Sequence, residues 1–378
     1  MSGRPPSTDP DETDVDPVLD WQVVHDFSFV VGGAERVSAV LAQELAPSRP
    51  LLSLAGEPQV LASLGVVKQS FRFPCLTEQT YRRLSPGLPP ALALSRPLST
   101  NVLASSYAFA HHVHTSGAKV VYCHSPMRQL WSGTQMYERS MPRVARLASR
   151  SATGPRQAYR MLDRRAALSA DAYVANSHVV ADRIRRFYGI EPAATAYPPV
   201  DPSFTYQPEV LRGGDYLWVG RIVEPYKRLE PLIEAFRMRP DRRLVVMGDG
   251  RDKDRLQATA PTNVRFHGQV TTALLARAYS RARAVIFPSE DDFGLVPVEA
   301  MSAGTPVVAL QKGGPKETVK EGRTGVFFSE AEPQLIVAAI DRFEREEWDS
   351  EDIASYAQEN FGREVFVRQV REVLDAVA

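Results

Sequence analysis

Two carboxylates, Asp291 and Glu299, stand eight positions apart on either side of Phe293-Gly294. Ala284-Val285-Ile286-Phe287-Pro288 before them reads as a buried strand. Val298-Glu299-Ala300-Met301-Ser302-Ala303-Gly304 reads as the opening turns of a helix stopped by Gly304. A strand, a loop containing Gly294 and a helix start aim backbone N–H groups at one spot, which suits an anion. An acid within such a cradle is suited to hydroxyl groups, from which it accepts strongly while ionised. Phosphate and hydroxyls together suggest a nucleotide-sugar.

Three further groups fit that chemistry. Tyr216-Leu217-Trp218-Val219 reads as a strand whose carboxyl end releases Arg221 and then Lys227. Two fixed cations there can hold a diphosphate and stabilise the charge that grows as a sugar departs. The bland alternative is two surface cations. Lys119-Val120-Val121-Tyr122-Cys123 delivers His124 to a strand end, and in open α/β sheets the ligand crevice lies outside those ends. A satisfied structural histidine is the competing reading. Gly32-Gly33 follows the first strand, Trp21 to His25, and opens a helix from Ala34 to about Leu45. This arrangement brings backbone close to a phosphate in doubly wound folds. It is not a GxGxxG motif, and nothing favours a nicotinamide cofactor.

In combination these segments resemble retaining glycosyltransferases of family 4. Residues 289–301 resemble the family's Glu-x7-Glu motif, Gly220-Arg221 with Lys227 its Gly-Arg…Lys pattern, and His25-Asp26 with Gly32-Gly33-Ala34-Glu35-Arg36 its glycine segment. His124-Ser125-Pro126-Met127-Arg128 is similar to a subset near bacterial O-antigen mannosyltransferases that use GDP-mannose. The resemblance implies a GT-B fold: two doubly wound α/β, Rossmann-like domains facing across a cleft. It also implies that Arg221 and Lys227 hold the diphosphate and that Glu299 accepts from ribose hydroxyls. Asp291 would accept from the sugar, and the backbone from Asp292 through Phe293 and Gly294 to Leu295 would line sugar and phosphates. Gly32 and Gly33 would close over the diphosphate, with His124 near the anomeric carbon. The first acid is Asp rather than the family's Glu, with Glu290 one place earlier. Either Asp291 reaches less far or Glu290 shares its role. No metal and no other cofactor is implied.

The elements that must hold these groups follow from alternation of strand and helix through both halves of the 378 residues. Residues 1–19 are acidic and almost without apolar content, which predicts a disordered tail. Residues 20–200 form the acceptor-side domain, and 201–214, dense in Pro and Gly, the linker. Residues 215–360 form the second domain, nucleotide-sugar-binding by the resemblance, and 361–378 a final helix that the resemblance implies crosses back to the first. Pro86, Pro89, Pro90 and Pro97 leave 51–100 without a clear assignment.

Lys plus Arg and Asp plus Glu number 45 each, so net charge gives no reason to expect nucleic acid. Cys75 and Cys123 have no CxxC spacing and fit a reducing compartment. With no long apolar run and no signal-peptide pattern, the expectation is a cytoplasmic protein. Residues 128–165 are rich in Arg with interleaved apolar residues. They could meet an anionic membrane and a lipid-linked acceptor, or simply form a solvated helical face. His111, His112 and His114 read as surface residues. Within the family a UDP-hexose donor is an alternative to GDP-mannose, and a catalytically idle GT-B scaffold at a membrane is a third reading.

Overall fold

The computed structural model describes residues 21–84, 87–132 and 153–378. The acidic tail and residues 133–152 of the basic stretch lie outside the described residues.

The first domain is built on seven parallel strands: β1 (Trp21–Ser28), β2 (Leu51–Gly56), β3 (Gln69–Phe71), β4 (Asn101–Ser106), β5 (Lys119–Cys123), β6 (Ala172–Ala175) and β7 (Ala194–Thr195). Their order is β3-β2-β1-β4-β5-β6-β7. The second has six: β8 (Tyr216–Val219), β9 (Leu244–Met247), β10 (Val264–Gly268), β11 (Val285–Phe287), β12 (Val307–Leu310) and β13 (Gly325–Phe328). These run β10-β9-β8-β11-β12-β13. Each chain path goes one way from its first strand and then returns to the other side of it. The switch points therefore fall between β1 and β4 and between β8 and β11, where crevices open in such sheets. β1, β8 and β11 lead into the glycine pair, the two cations and the acidic stretch, while His124 follows β5, one strand beyond β4.

The strands read as continuous apolar runs because helices cover both faces. All eight residues of β1 are buried, including His25 and Asp26. The unassigned stretch 51–100 supplies the edge strands β2 and β3 and short helices, Pro58–Ala62, Glu78–Leu84 and Leu88–Ala93. Two prolines start helices rather than break them: Pro58 and Pro89 each sit in a first turn, where a missing N–H costs nothing; Pro86 lies outside the described residues. Asn176-Ser177 precedes the helix His178–Tyr188. Ser177 accepts from the Val180 amide, and Gly189, at φ 72°, ends the helix.

The last helix, Arg363–Val377, buries Phe366, Val370, Val373 and Leu374, one stripe at helical spacing. They pack with Trp21, Val37 and Leu41 of the first domain, and the rings of Tyr122 and Phe366 lie 5.4 Å apart. Burying each such side chain contributes about 1.5–3 kcal/mol, so the chain end is tied firmly to the domain where the chain begins. Among the described residues no helix is long and apolar enough to cross a membrane.

Candidate active site

Gly294, at φ 84°, turns the chain from β11 into the helix Leu295–Ser302. That left-handed conformation favours glycine. Phe293 points away from the cleft and is buried between Tyr197 and Phe361, with ring centroids at 5.5 and 5.9 Å. It anchors the loop, and only its backbone is left to face a ligand. Leu295 meets the first domain: a Cβ on Gly33 would stand 2.7 Å from its Cδ1. Gly33 thus sits against a protein contact across the cleft, and Gly32 over the Glu35 carboxylate, 2.7 Å from where a Cβ would sit, so a side chain at either position would displace a neighbouring side-chain end.

Beside this contact lies a cavity of about 650 Å³ lined by Gly33, Arg36, Asp201, Thr271, Leu295 and Glu299, among others. Glu299 accepts from the Tyr279 hydroxyl at 2.9 Å. Burial pushes its carboxyl up to about 7, against the opposing pull of that hydroxyl and of Arg36. Arg36 pairs with Asp201 across the cavity mouth. Asp291, Lys227 and His124 do not line this cavity.

Lys227 and Asp291 form a second cluster, and His124 is held separately in the first domain. Lys227 Nζ donates to Asp291 Oδ2 at 2.6 Å, while Asp291 Oδ1 is buried without a hydrogen-bond partner. Arg228, held at φ 51°, ends the turn after Lys227 and meets the exposed Glu290 at 3.4 Å. Neighbouring acids thus separate: Asp291 goes to Lys227 and Glu290 to the rim. Arg221 is exposed and, among the described residues, makes no ion pair. Asp292 is engaged across the domains. Arg128 donates to both its oxygens, with Nε 2.9 Å from Oδ2, and Arg183 donates to Oδ1. Glu317 of the second domain accepts from the His178 and Val179 amides at 2.8 Å each, capping a first-domain helix. That carboxylate complements the helix's positive end.

His124 is half-buried at the end of β5, its Nε2 2.7 Å from Ser105 Oγ. Burial, reinforced by the nearby His25, lowers it to about 3, so the ring is neutral.

Two expectations are corrected. His111 and His112 are buried, not on the surface. Both point Nε2 at Asp163 Oδ1, 3.1 Å away, and Trp131 and Tyr188 donate to Asp163 Oδ2 at 2.7 and 2.9 Å. The three could hold a metal by residue type, but the carboxylate already accepts four hydrogen bonds. In the basic stretch, Arg128 and Asp163 belong to these interior contacts rather than to a solvated face.

Sequence reasoning missed Arg183, Tyr279 and Glu317, which act through tertiary proximity, and gave Arg36 no role beyond its place in the glycine segment. His25 and Glu35 were visible only inside the glycine segment.

Residues 31–204 match the model for Glycosyltransferase Family 4, and residues 212–360 that for Glycosyl transferases group 1. The chain therefore carries these two glycosyltransferase-family domains in succession, on a GT-B fold. A GDP-mannose-dependent alpha-mannosyltransferase of Mycolicibacterium smegmatis is 40% identical over 110 residues, 29% of this chain and 28% of that protein. A D-inositol 3-phosphate glycosyltransferase of Streptomyces griseus is 30% identical over 250 residues, 54% of this chain and 53% of that protein. The chain spans about half or less of the length of these curated relatives. The crystal structure of Anabaena Alr3699/HepE in complex with UDP superposes with a TM-score of 0.68 at 17% identity, over 94% of this chain and all (100%) of that one.

Proposed function

We propose that the protein is a retaining glycosyltransferase that moves a hexose, with mannose from GDP-mannose favoured, to a glycan or lipid-linked acceptor in surface polysaccharide synthesis. The observation that carries this reading is the Lys227–Asp291 pair with its unpartnered Asp291 Oδ1. A diphosphate entering the cleft would draw the Lys227 charge to itself. Asp291 would then have two oxygens for sugar hydroxyls, which is the role the motif implies. Arg221, unpaired and exposed, would add the second cation. Glu299, beside the Gly33–Leu295 contact, would accept from the ribose.

The donor thus lies on the second domain, and the acceptor enters from the first. As the glycosidic bond to phosphate breaks, the electron pair leaves with the diphosphate, which Lys227 and Arg221 stabilise. The acceptor oxygen arrives on the same face, and the leaving phosphate helps take its proton. Such a route needs a cleft shielded from water. Interdomain contacts made by Asp292 and Glu317 supply the closure. The charge is carried by side chains without a metal ion. The chain acts in the cytoplasm, with the exposed side chains of the stretch 128–165, not Arg128 or Asp163, touching an anionic membrane. Exposed Met161 and Leu162 in the described part of that stretch support the contact.

The Mycolicibacterium relative's name supports GDP-mannose, and the UDP complex of the Anabaena neighbour supports a second reading, a UDP-hexose donor. Thermal melting with GDP, UDP, ADP, GDP-mannose and UDP-glucose, each with EDTA or Mg²⁺, separates them. A ligand at a hundred times its Kd adds about 2.7 kcal/mol. An EDTA-insensitive rise with GDP and GDP-mannose is expected. A UDP-selective rise would overturn the donor, and no rise with any nucleotide would overturn the enzyme reading in favour of an idle scaffold.

A further inference from the structure

Beneath His124 a hydrogen-bonded line runs away from the cleft. Ser105 Oγ, 2.7 Å from His124 Nε2, lies 2.7 Å from Ser38 Oγ, which lies 2.8 Å from His25 Nδ1. His25 Nε2 stands 3.5 Å from Glu35 Oε1, outside hydrogen-bond geometry, and is otherwise unpartnered. Parallel pairing sets His25 of β1 opposite Ser105 of β4. The helix Gly33–Leu45 adds Glu35 and Ser38. His25, Ser38 and Ser105 are fully buried. Each hydroxyl has one proton, so the direction of one bond in the line constrains the next.

We propose that this line couples the protonation of His25 to the tautomer of His124, making His25 a positioning residue that decides whether His124 Nδ1 offers a donor or an acceptor. With His25 neutral and its proton on Nε2, Ser38 donates to His25 Nδ1, Ser105 to Ser38, and His124 Nε2–H to Ser105. His124 Nδ1 is then a lone pair. One proton taken up at His124 Nδ1 lets the Nε2 proton pass to Ser105. The Ser105 proton then moves to Ser38, and the Ser38 proton to His25 Nδ1. The line has gained one proton: His25 is an imidazolium facing Glu35, and His124 is again neutral but now carries Nδ1–H.

Electrostatics agree. Burial pulls His25 down, but the nearby Glu35 and Asp26 carboxylates and the Ser105 carbonyl, 3.3 Å from its Nδ1, outweigh it and raise it. The other titratable rings against it are Tyr107 at 5.9 Å and His124 at 6.5 Å. Asp26 is itself committed to four amides, Tyr107 through Ala110. His124 is held neutral by burial, so it can change tautomer but not charge. On the transferase reading, a neutral Nδ1–H beside the anomeric carbon can bind a sugar oxygen without repelling the positive charge that builds there. That form is present while His25 is charged and is lost as pH rises through the raised His25 value. Ser38 also lies 2.8 Å from the Ala34 carbonyl; donation there would break the coupling.

The test is long-range ¹H–¹⁵N NMR of the full chain labelled at histidine, titrated with pH, with assignments from His25→Gln and His124→Gln. His124 Nδ1 and Nε2 are expected to exchange their protonated and unprotonated shifts at the His25 midpoint. Ser38→Ala and Ser105→Ala should abolish the exchange while His25 still titrates. A His124 signal indifferent to the His25 midpoint, or an exchange that survives both variants, overturns the proposal. Should both variants unfold, the wild-type titration alone decides. With a nucleotide-sugar that the wild type turns over, Ser38→Ala should lower kcat about tenfold where His25 is charged, with donor KM unchanged. An equal loss at every pH would mean a purely structural role. Absence of any nucleotide binding would sink the transferase reading but leave the NMR result standing.

Discussion

The first domain holds two histidine pairs that differ in one respect: whether their hydrogen bonds are complete. At His111 and His112, Asp163 accepts two imidazole N–H bonds, one indole N–H and one phenol, and its capacity is filled. Burial alone would raise that carboxyl, but the two histidines hold it well below the usual carboxylate range. At His25 and His124 the line begins at a nitrogen without a hydrogen-bond partner and ends at a half-buried ring beside the cleft. A finished network contributes stability. An unfinished one leaves a valence for a ligand or a proton.

The largest expected effect breaks the finished network. Asp163→Ala leaves four donors, three of them buried, without their acceptor and is expected to cost about 3–5 kcal/mol, read by denaturant unfolding. Nucleotide affinity should change little if the network is only structural. The pH dependence has a definite sign. Burial lowers His112 from 6.5 to about 4, so the unfolded chain binds its proton first. Wild-type stability should therefore fall as pH drops from 6.5 toward 4. His112→Asn should reduce that loss.

The same contrast separates the acids of the 289–301 stretch. Asp292 is finished, enclosed by two arginines, whereas Asp291 has an idle oxygen. Lys227→Ala is expected to lower kcat/KM about 100-fold, roughly 2.7 kcal/mol of transition-state stabilisation, and, because it strands the Asp291 carboxylate, to lower the melting temperature as well. Near wild-type turnover would remove Lys227 from the diphosphate.

Glu299 comes next. Its carboxyl, raised by burial to about 7, must be ionised to accept from a ribose, so nucleotide affinity should weaken as pH falls below 7. Stability of the free protein should move the other way: the folded state holds this proton more tightly, so stability is lost as pH rises from 4.5 through 7. Glu299→Gln is expected to weaken nucleotide binding about tenfold, roughly 1.4 kcal/mol, and to flatten both profiles in calorimetry.

These distinctions show what a linear sequence can carry. The second sheet, the central strands β1, β4, β5 and β6 of the first, the helix His178–Tyr188 and the strand–loop–helix around Gly294 were legible because their signals are local: apolar runs, a serine cap, a glycine stop; the edge strands β2, β3 and β7 were not. The composition of the glycine pair was legible too, though its steric cause was not. Gly33 answers to Leu295, 262 positions later in the chain. Whether a given polar group is finished was illegible throughout. His111 and His112 looked like surface residues because Asp163 lies about fifty positions away. Arg128 looked like part of a basic face because Asp292 belongs to the other domain. Hydrogen-bond completion depends on tertiary partners, and spacing cannot reveal it.

The smallest effect is the sharpest check on this contrast. The sequence alone left Asp291 and Glu290 as rivals for one role, since either carboxylate could reach a sugar from a flexible loop. Asp291 is bonded to Lys227 at 2.6 Å and keeps a buried free oxygen, whereas Glu290 is exposed and only 3.4 Å from Arg228. An exposed pair at that distance contributes less than about 1 kcal/mol, because solvent screens it and two long side chains must be ordered. Glu290→Gln should therefore leave stability within about 0.5 kcal/mol and turnover within about twofold, measured beside Asp291→Asn under identical conditions. If Glu290→Gln instead costs as much as Asp291→Asn, the two acids share the sugar. The rim pair with Arg228 would then be a resting arrangement that the donor rearranges.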